Sequence, residues 1–208
     1  MSYIAFLEPK CHFFDTMNNS EFLKQINTYY PLSKQTTAAL IEICSEEHFQ
    51  KNELLLESGS MARYYYFIKS GLIGYYTTDE EGNNIYKIFF EENSFVASTS
   101  AIIKNEPSDF SIIALEDCSV IKYPTKAFRE LLEKHHDLAL FHIKYLEKNW
   151  VVKKEPLEVS LKFETAKQRY LLLLKNKSLY DRLKQHHIAS YLGITPTQLS
   201  RIKKEINR

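Results

Sequence analysis

Cysteine and glycine are both scarce in this chain, with three cysteines and five glycines among 208 residues. The cysteines, Cys11, Cys44 and Cys118, are widely spaced and odd in number, so the sequence predicts neither a disulfide framework nor a thiolate-bound metal or cluster. There is no glycine-rich phosphate loop, which argues against a nucleotide-hydrolysing motor. These absences favour a protein of the reducing cytoplasm.

Long apolar runs are also missing, so the sequence predicts no membrane span and no membrane partner. The N-terminus, MSYIAFLEPKCHFF, lacks the basic start and apolar core of a secretion signal. A hydrophobic content of 44% with 25% charged residues is ordinary for a globular protein, and the length suits a medium domain plus a small one. No nucleophile–base pair, metal motif or paired carboxylates stand out. We therefore expect neither an enzyme nor a bound cofactor.

The most informative segment is residues 185–206, QHHIASYLGITPTQLSRIKKEI. It reads as two short amphipathic helices separated by Gly193-Ile194-Thr195, with Gly193 permitting a tight turn. Thr195 can cap the second helix with its hydroxyl, and Gln198 completes a T-x-x-Q capping box. Pro196 suits the first helical position, where an N–H would have no intrahelical partner. The pattern predicts a helix-turn-helix.

The second of these helices has one apolar side and one polar side. At 100° per residue, Leu199, Ile202 and Ile206 fall together, while polar and basic residues including Arg208 gather opposite them. One side can pack and the other can contact a nucleic acid. The predicted DNA-binding residues are Thr195, Thr197, Gln198, Ser200, Arg201, Lys203 and Lys204.

Charge is distributed very unevenly along the chain, although the total is only +1. Residues 161–208 carry 11 basic and 3 acidic side chains, a net charge of +8, which leaves −7 for the first 160 residues. Attraction to a polyanion therefore belongs to the C-terminal part. Together with the polar helix face, this predicts binding to double-stranded DNA.

Periodicity divides the rest of the chain into a helical, a strand-rich and a second helical part. Residues 20–48 have helical spacing interrupted at Pro31, which predicts two short helices. Residues 51–123 contain short aromatic and aliphatic runs broken by turn residues, which predicts strands, with residues 81–84 as a hairpin turn.

Long helical patterns follow Pro124, and the longest is expected to end near Pro156 because proline blocks a helix interior. A further helix is predicted over residues 163–176. In the long helix, Leu138, Phe141, Tyr145 and Val152 have coiled-coil-like spacing, which Lys148 interrupts. This stripe fits a dimer seam or a cover for the protein's own strands equally well. A two-fold arrangement of DNA half-sites favours the homodimer.

The order of these elements resembles that of the cyclic-AMP receptor protein/FNR (Crp-Fnr) transcription regulators, from about Ser20 to the end. The similar segments are KNELLLESGS, YYYFIKSGLIGYY, AKQRYLLLL and IASYLGITPTQLSRIKKE, and the last two look like the short-tailed members from Bacteroidetes-type bacteria. The resemblance implies an α+β fold with a cyclic-nucleotide-binding-like β-roll (jelly roll), a long dimerisation helix and an all-α helix-turn-helix domain. The corresponding boundaries are 1–19 for a leader of uncertain status, 20–134 for the sensor, 135–156 for the dimerisation helix and 157–208 for the DNA-binding domain.

The resemblance also implies contact with RNA polymerase and base reading from the positions of Pro196, Thr197 and Arg201. Only Arg201 keeps strong reader chemistry, because its guanidinium can donate to both acceptors of a guanine edge. The wing of relatives is missing after the last helix, so phosphate contacts are expected from other groups. The candidates are Lys203, Lys184, His186 and His187. Relatives align from Met17 onward, which leaves Met1 and Met17 as alternative starts.

The effector pocket departs from the family's cyclic-nucleotide pattern. By alignment, Ala97 replaces a glycine, Ser98 the ribose-binding glutamate and Ser108 the phosphate-pairing arginine, while Asp109 would repel a phosphate. The effector-pocket candidates are Ala97, Ser98, Thr99, Ser108 and Asp109. We therefore expect a regulator that does not bind cyclic AMP and that responds, if to anything, to an unidentified small molecule.

Other sensor chemistries have weaker support. The cysteine quartet of the oxygen-sensing branch is missing, which argues against an iron–sulfur cluster. His135, His136 and His142 could serve a haem or metal sensor, but solvent-facing or interface histidines explain them better. The run Tyr64–Tyr66 fits a pocket lining or plain core. An alternative function is a small-molecule sensor that acts mainly through protein–protein contact, with a vestigial DNA-binding module.

Overall fold

The computed structural model describes residue 17 and residues 20–206. Most of the leader, together with Cys11 and Arg208, therefore lies outside the described residues. Helices α1 (Glu21–Asn27) and α2 (Lys34–Glu42) begin where Ser20 and Ser33 accept hydrogen bonds from backbone N–H groups in the first turn. The prediction of two short helices is confirmed.

A sandwich of two four-stranded antiparallel sheets follows, which confirms the strands predicted from the aromatic and aliphatic runs. One sheet has the order β1-β8-β3-β6 and the other β2-β7-β4-β5. The strands are β1 (Ser45–Phe49), β2 (Leu54–Leu56), β3 (Tyr64–Ser70), β4 (Ile73–Thr78), β5 (Asn84–Phe90), β6 (Phe95–Val96), β7 (Ser111–Ala114) and β8 (Cys118–Pro124). The predicted hairpin turn joins β4 to β5, where the Asp79 carboxylate accepts hydrogen bonds from the backbone N–H groups of Glu81 and Asn83.

Two details of this region differ from the prediction. Strand β1 begins at Ser45, inside the segment expected to be helical, and α3 (Thr99–Lys104) is a helix among the predicted strands. Both are short, and over so few residues an apolar run does not distinguish a strand from a helical turn.

The long helical region continues beyond the predicted end. It consists of α4 (Thr125–Lys134), α5 (His136–Leu146), a π-helical segment (Glu147–Val152) and α6 (Lys154–Phe163). The expected end near Pro156 corresponds to a break at Lys153, but proline does not cause this break and a new helix follows at once. A turn at Lys153 separates the π segment from α6, so Pro156 falls in the first turn of a new helix, where its missing N–H costs no intrahelical bond.

The residues of the predicted apolar stripe differ in burial along this region. Leu138 and Phe141 are buried against the protein's own sandwich, with Phe141 beside Phe95. In α6, by contrast, every described residue is at least partly exposed. The start of the stripe, at Leu138 and Phe141, therefore covers the sandwich, whereas its last residue, Val152, is 63% exposed with the described residues in place.

The C-terminal part is entirely helical over the described residues. It contains α7 (Ala166–Lys175), which confirms the helix predicted over 163–176, then α8 (Lys177–Arg182), which was not predicted, α9 (Gln185–Leu192) and α10 (Pro196–Ile206). One apolar cluster joins these helices to the outer face of the sheet that contains β4 and β5. Across the described ranges, no helix is both long and apolar enough to cross a membrane.

Candidate nucleic-acid interface and effector pocket

The turn between α9 and α10 has the geometry that the sequence predicted. Gly193 ends α9 in the left-handed region with φ of 68°, which a glycine adopts without steric cost. The N–H of Gly193 donates to Ser190 O and that of Ile194 to Ala189 O, both at 3.0 Å. Arg169 of α7 donates to the last carbonyl of α9, Leu192 O, at 2.9 Å. These bonds fix the direction in which the chain enters α10.

Helix α10 starts at the predicted capping box. The Gln198 backbone N–H donates to Thr195 Oγ1 at 3.2 Å, and the Thr195 N–H donates to Gln198 Oε1 at 2.8 Å. Two N–H groups that the helix leaves without partners are thereby satisfied. The start of α10, and with it the direction of its side chains, is well defined.

The predicted contact face of α10 is accessible, and the predicted packing face is not. Leu199 is fully buried and Ile202 half-buried. Lys203 is half-buried, with its ammonium 5.6 Å from the centre of the Tyr180 ring. The other predicted DNA-binding residues are all exposed, namely Thr195, Thr197, Gln198, Ser200, Arg201 and Lys204. Geometry thus brings them to one surface, whereas their contact with DNA stays a prediction.

His187 is not a phosphate contact in this arrangement. Only 8% of it is exposed, and its ring lies 5.0 Å from that of Tyr86 on β5. Burial, with the nearby charges of His186 and Lys184, lowers the pKa of His187 to about 4, so the ring is neutral at pH 7. Lys184 and His186 remain exposed candidates.

A polar clamp holds the C-terminal helices against the sandwich. Arg182, at the end of α8, donates to Glu92 Oε2 at 2.8 Å and to Glu116 Oε2 at 2.7 Å. Glu92 also accepts the Gly71 N–H at 2.8 Å. Hydrogen bonds from Arg182 lower the pKa of Glu92 to about 2, so the clamp is charged on both sides at neutral pH.

Helix α9 is fastened to the edge strand β5 by Ser190. Its hydroxyl accepts the Tyr86 backbone N–H at 3.0 Å and donates to Asn84 O at 2.5 Å. A single side chain therefore satisfies an N–H and a C=O on the outer edge of the sheet. We call the contact made by Arg182, His187 and Ser190 with the sandwich the docking interface.

The predicted effector-pocket residues do not form a single pocket. Ala97 and Thr99 line a small cavity of about 20 Å³ against the long helical region, with room for about one water molecule. Ser98 and Ser108 lie elsewhere, inside the sandwich, and are both 1% exposed. Asp109 is exposed, with its backbone O accepting the Thr77 hydroxyl at 3.1 Å.

The two serines that are predicted to replace the nucleotide-contacting residues bond to one another and to their neighbours. Ser108 Oγ donates to Ser98 Oγ at 2.7 Å, and the Tyr75 hydroxyl lies 3.0 Å from Ser98 Oγ. The Tyr75 ring stacks on Phe110 with centres 4.6 Å apart. Ser108 Oγ also bonds to the backbone of Phe110. The three hydroxyls, here called the hydroxyl cluster, satisfy one another.

The hydroxyl cluster lacks the charged groups that a cyclic nucleotide would be expected to need. A buried phosphate needs a cation and a ribose needs a strong acceptor, but Ser98 and Ser108 offer neutral hydroxyls that already have partners. The Lys87 ammonium, 4.8 Å from the centre of the Phe110 ring, lies over that ring. Its pKa is lowered by burial and by Lys154.

His135 and His142 of the long helical region contact different parts of the protein. His135 Nδ1 lies 3.1 Å from the Thr36 hydroxyl, whereas His142 packs on the Phe128 and Tyr65 rings. Within the described residues, no group of three or more His, Cys, Asp or Glu side chains could hold a metal ion. Tyr65 and Tyr66 belong to the packed core around the sandwich, and Tyr64 is at its rim.

Comparison with known proteins assigns the sandwich to a class. Residues 46–135 match the profile of the cyclic nucleotide-binding domain. None of the curated proteins matches the sequence.

Solved structures of similar fold extend over most of the chain. FixK2 from Bradyrhizobium japonicum superposes with a TM-score of 0.66 at 16% identity, covering 79% of this chain and 85% of its own. A CooA mutant from Carboxydothermus hydrogenoformans gives 0.65 at 16% identity, with 91% and 85% covered. CLP from Xanthomonas campestris, described as a c-di-GMP-responsive global regulator, gives 0.62 at 13% identity, with 84% and 92% covered. These likenesses establish the shared fold.

Proposed function

We propose that the protein is a sequence-specific, DNA-binding transcription regulator of the Crp-Fnr type that acts as a homodimer and contacts RNA polymerase. The observation that carries this proposal is the exposed polar face of α10, which the capping box and the buried Leu199 orient away from the core. Similar folds in the regulator CLP and in the sensor domain of the transcriptional regulator DNR from Pseudomonas aeruginosa support it. The β-sandwich then serves as the sensor. The dimerisation helix was predicted over residues 135–156, but because Leu138 and Phe141 are buried in the chain's own core, we place the dimer contact at the end of that helix and along α6.

Within the exposed face, the residues differ in the contacts that their chemistry allows. Arg201 can donate two hydrogen bonds to the O6 and N7 acceptors of a guanine, while Thr197 offers a hydroxyl and a methyl group to a thymine edge. Lys203 and Lys204 carry point charges suited to phosphates. The net charge of +8 over residues 161–208 adds a sequence-independent attraction to the duplex.

The division between reading and anchoring can be tested by selecting binding sites from random duplexes. We expect Arg201→Ala to weaken binding to the selected operator by about 1–3 kcal/mol and to relax the base preference at one position. Lys203→Ala is the matched cation control on the same helix. It should weaken all duplexes alike and reduce the slope of log K against log salt.

Unchanged selectivity of Arg201→Ala would contradict the proposed reading role. A wild-type protein that does not bind random duplex even at low salt would contradict DNA binding altogether. That outcome would favour the alternative of a sensor that acts through protein–protein contact.

We further propose that the sensor does not bind cyclic AMP, because its hydroxyl cluster fills the site and supplies no cation. Calorimetric titration of the intact protein with cyclic AMP is expected to show no heat of binding. Binding in the micromolar range would show that Tyr75 leaves the site readily, and this part of the proposal would then be wrong.

A further inference from the structure

Strand β4 has two adjacent tyrosines that face opposite sides of their sheet. Tyr75 points into the sandwich, where its hydroxyl joins the hydroxyl cluster. Tyr76 points outward into the apolar cluster shared with the C-terminal helices. Alternation along a strand makes neighbours face opposite sides, so a single backbone step joins the cluster around Tyr75 to the cluster around Tyr76.

The pairing of β4 with β5 is irregular at this pair. Tyr75 is opposite Ile88 and Tyr76 is opposite Tyr86, so Lys87 is an extra residue on β5. The Lys87 ammonium lies 5.6 Å from the Tyr75 ring centre and 4.8 Å from that of Phe110. A bulge of this kind redirects side chains locally, and here its extra residue lies over the Tyr75–Phe110 stack.

On the outer face of the sheet, the residues at this bulge contact the docking interface. The Tyr76 ring lies 5.3 Å from that of Tyr86, which in turn lies 5.0 Å from the ring of His187 on α9. Gly74 leaves the space for Tyr86, because a Cβ there would come within 2.6 Å of Tyr86 Cε1. The Tyr86 N–H also donates to Ser190 of α9. Tyr86 is therefore held by β4 on one side and by α9 on the other.

We propose that Tyr75 acts as a tethered internal ligand: its hydroxyl occupies the sensor site and, through Tyr76 and Tyr86, holds the helix-turn-helix module in its docked position. The docking part of this inference stands on contacts within the chain. Its consequence for operator affinity rests on the proposed DNA-binding function. An element that both sites bias is the physical requirement for such coupling, and β4 with its bulge is that element.

The test compares two single hydroxyl deletions in the same core. Tyr75→Phe removes the bond to Ser98. Tyr66→Phe is the matched control, since Tyr66 is similarly buried and donates to Leu55 O at 3.0 Å, but it lies on β3 in the other sheet. Amide hydrogen exchange of residues 185–192 and 84–90 in the free, full-length protein reports docking.

Tyr75→Phe is expected to raise the amide exchange rate in both segments at least about fivefold, which is the smallest change typical of coupling between two sites. Tyr66→Phe should leave both exchange rates near the wild-type values. Ser98→Ala removes the same bond from the other side and should act in the same direction, which keeps the test valid if Tyr75→Phe folds poorly. Arg182→Gln, which opens the docking interface directly, shows that the assay responds.

The proposal would be overturned if residues 185–192 exchanged at the wild-type rate in both Tyr75→Phe and Ser98→Ala while Arg182→Gln raised that rate. An equal increase in Tyr66→Phe would also overturn it, because the effect would then be a general loosening of the core. None of these readouts involves DNA. A wild-type protein that failed to bind any duplex would therefore refute the proposed function and leave the docking result to be judged separately.

Discussion

At the scale of single residues, His187 shows how a titratable side chain is used as packing. Its ring is enclosed by Tyr86 and Phe89 of β5, and its Nδ1 is buried without a hydrogen-bond partner within the described residues. Such a ring is tolerated in the neutral form, whereas a second proton would place an unpaired charge inside an apolar interface. The docking interface therefore requires an uncharged His187.

This requirement gives the protein a pH-dependent stability. The pKa of His187 lies near 4 in the folded state and at an ordinary value of 6.5 in the unfolded chain, so the unfolded state binds the extra proton first. The free energy of unfolding should fall as pH decreases from 6.5 to 4, by about 2–3 kcal/mol in total. Urea titrations at several pH values measure this change.

The neighbouring His186 provides the control for this prediction, because it is exposed. His187→Phe should flatten the pH dependence between 6.5 and 4, and His186→Phe should not. His142, whose pKa is also lowered by burial, is retained in both variants and cancels in the comparison. Equal slopes for the two variants would show that His187 carries no part of the pH dependence.

At the scale of elements, capping decides where the helices of the C-terminal part begin. Both α7 and α10 start at a T-x-x-Q box, formed by Thr165 with Gln168 and by Thr195 with Gln198. These starts are local, since all the bonds lie within four residues. The sequence therefore predicts the start of α10 and the face that it presents.

Removing the cap of α10 should lower the free energy of unfolding. Thr195→Ala is expected to lower the free energy of unfolding by about 1 kcal/mol, because the N–H of Gln198 loses its acceptor. Thr195→Ser keeps the hydroxyl and should restore most of the loss. Chemical denaturation of the three proteins distinguishes these outcomes, and a serine variant as unstable as the alanine variant would rule out capping as the cause.

Other element boundaries depend on context that a sequence pattern does not contain. Pro156 predicted a helix end, but the π-helical segment before it lets a new helix begin at Lys154 and puts the proline in a tolerated position. Helix α8 is six residues long and has no fully buried residue, so it gave no periodic signal. Its role comes from Arg182, whose carboxylate partners are 66 and 90 residues away along the chain.

At the scale of the whole molecule, several exposed apolar side chains lie on and near α6. Val159 and Phe163 are 56% and 80% exposed, and their spacing of four residues puts them on one side of α6. Val152, which is 63% exposed, precedes the turn at Lys153. A contiguous apolar surface of this kind marks an interaction site. This surface supports the proposed homodimer more directly than the stripe around Leu138, which is buried within the chain.

A charge at the centre of this surface should prevent self-association. We expect the wild-type protein to be a dimer in light scattering after size exclusion, and Val159→Asp to shift it to the monomer at micromolar concentration. Ile103→Asp is the control, since Ile103 is 65% exposed but lies on α3, away from α6. A dimer that survives Val159→Asp would place the interface elsewhere.

Some features of the candidate sites depend on neighbouring residues in the sequence, and others depend on contacts between distant segments. The exposed face of α10 could be predicted from periodicity and capping alone. The contacts of Tyr75 with Ser98 and of Ser98 with Ser108 could not, because they depend on β4 meeting the segments that precede α3 and β7 in space. The sequence resemblance predicts that Ser108 replaces an arginine, whereas the neighbours of Ser108 follow only from the fold.

The bond between Ser190 and strand β5 also bears on the solubility of the protein. Strand β5, NIYKIFF, is an edge strand rich in aromatic and branched side chains, and Ser190 covers part of its open rim. A fragment or a nascent chain without α9 would expose that rim as a template for cross-β stacking. We therefore expect removal of the C-terminal helices to lower the solubility of the sandwich.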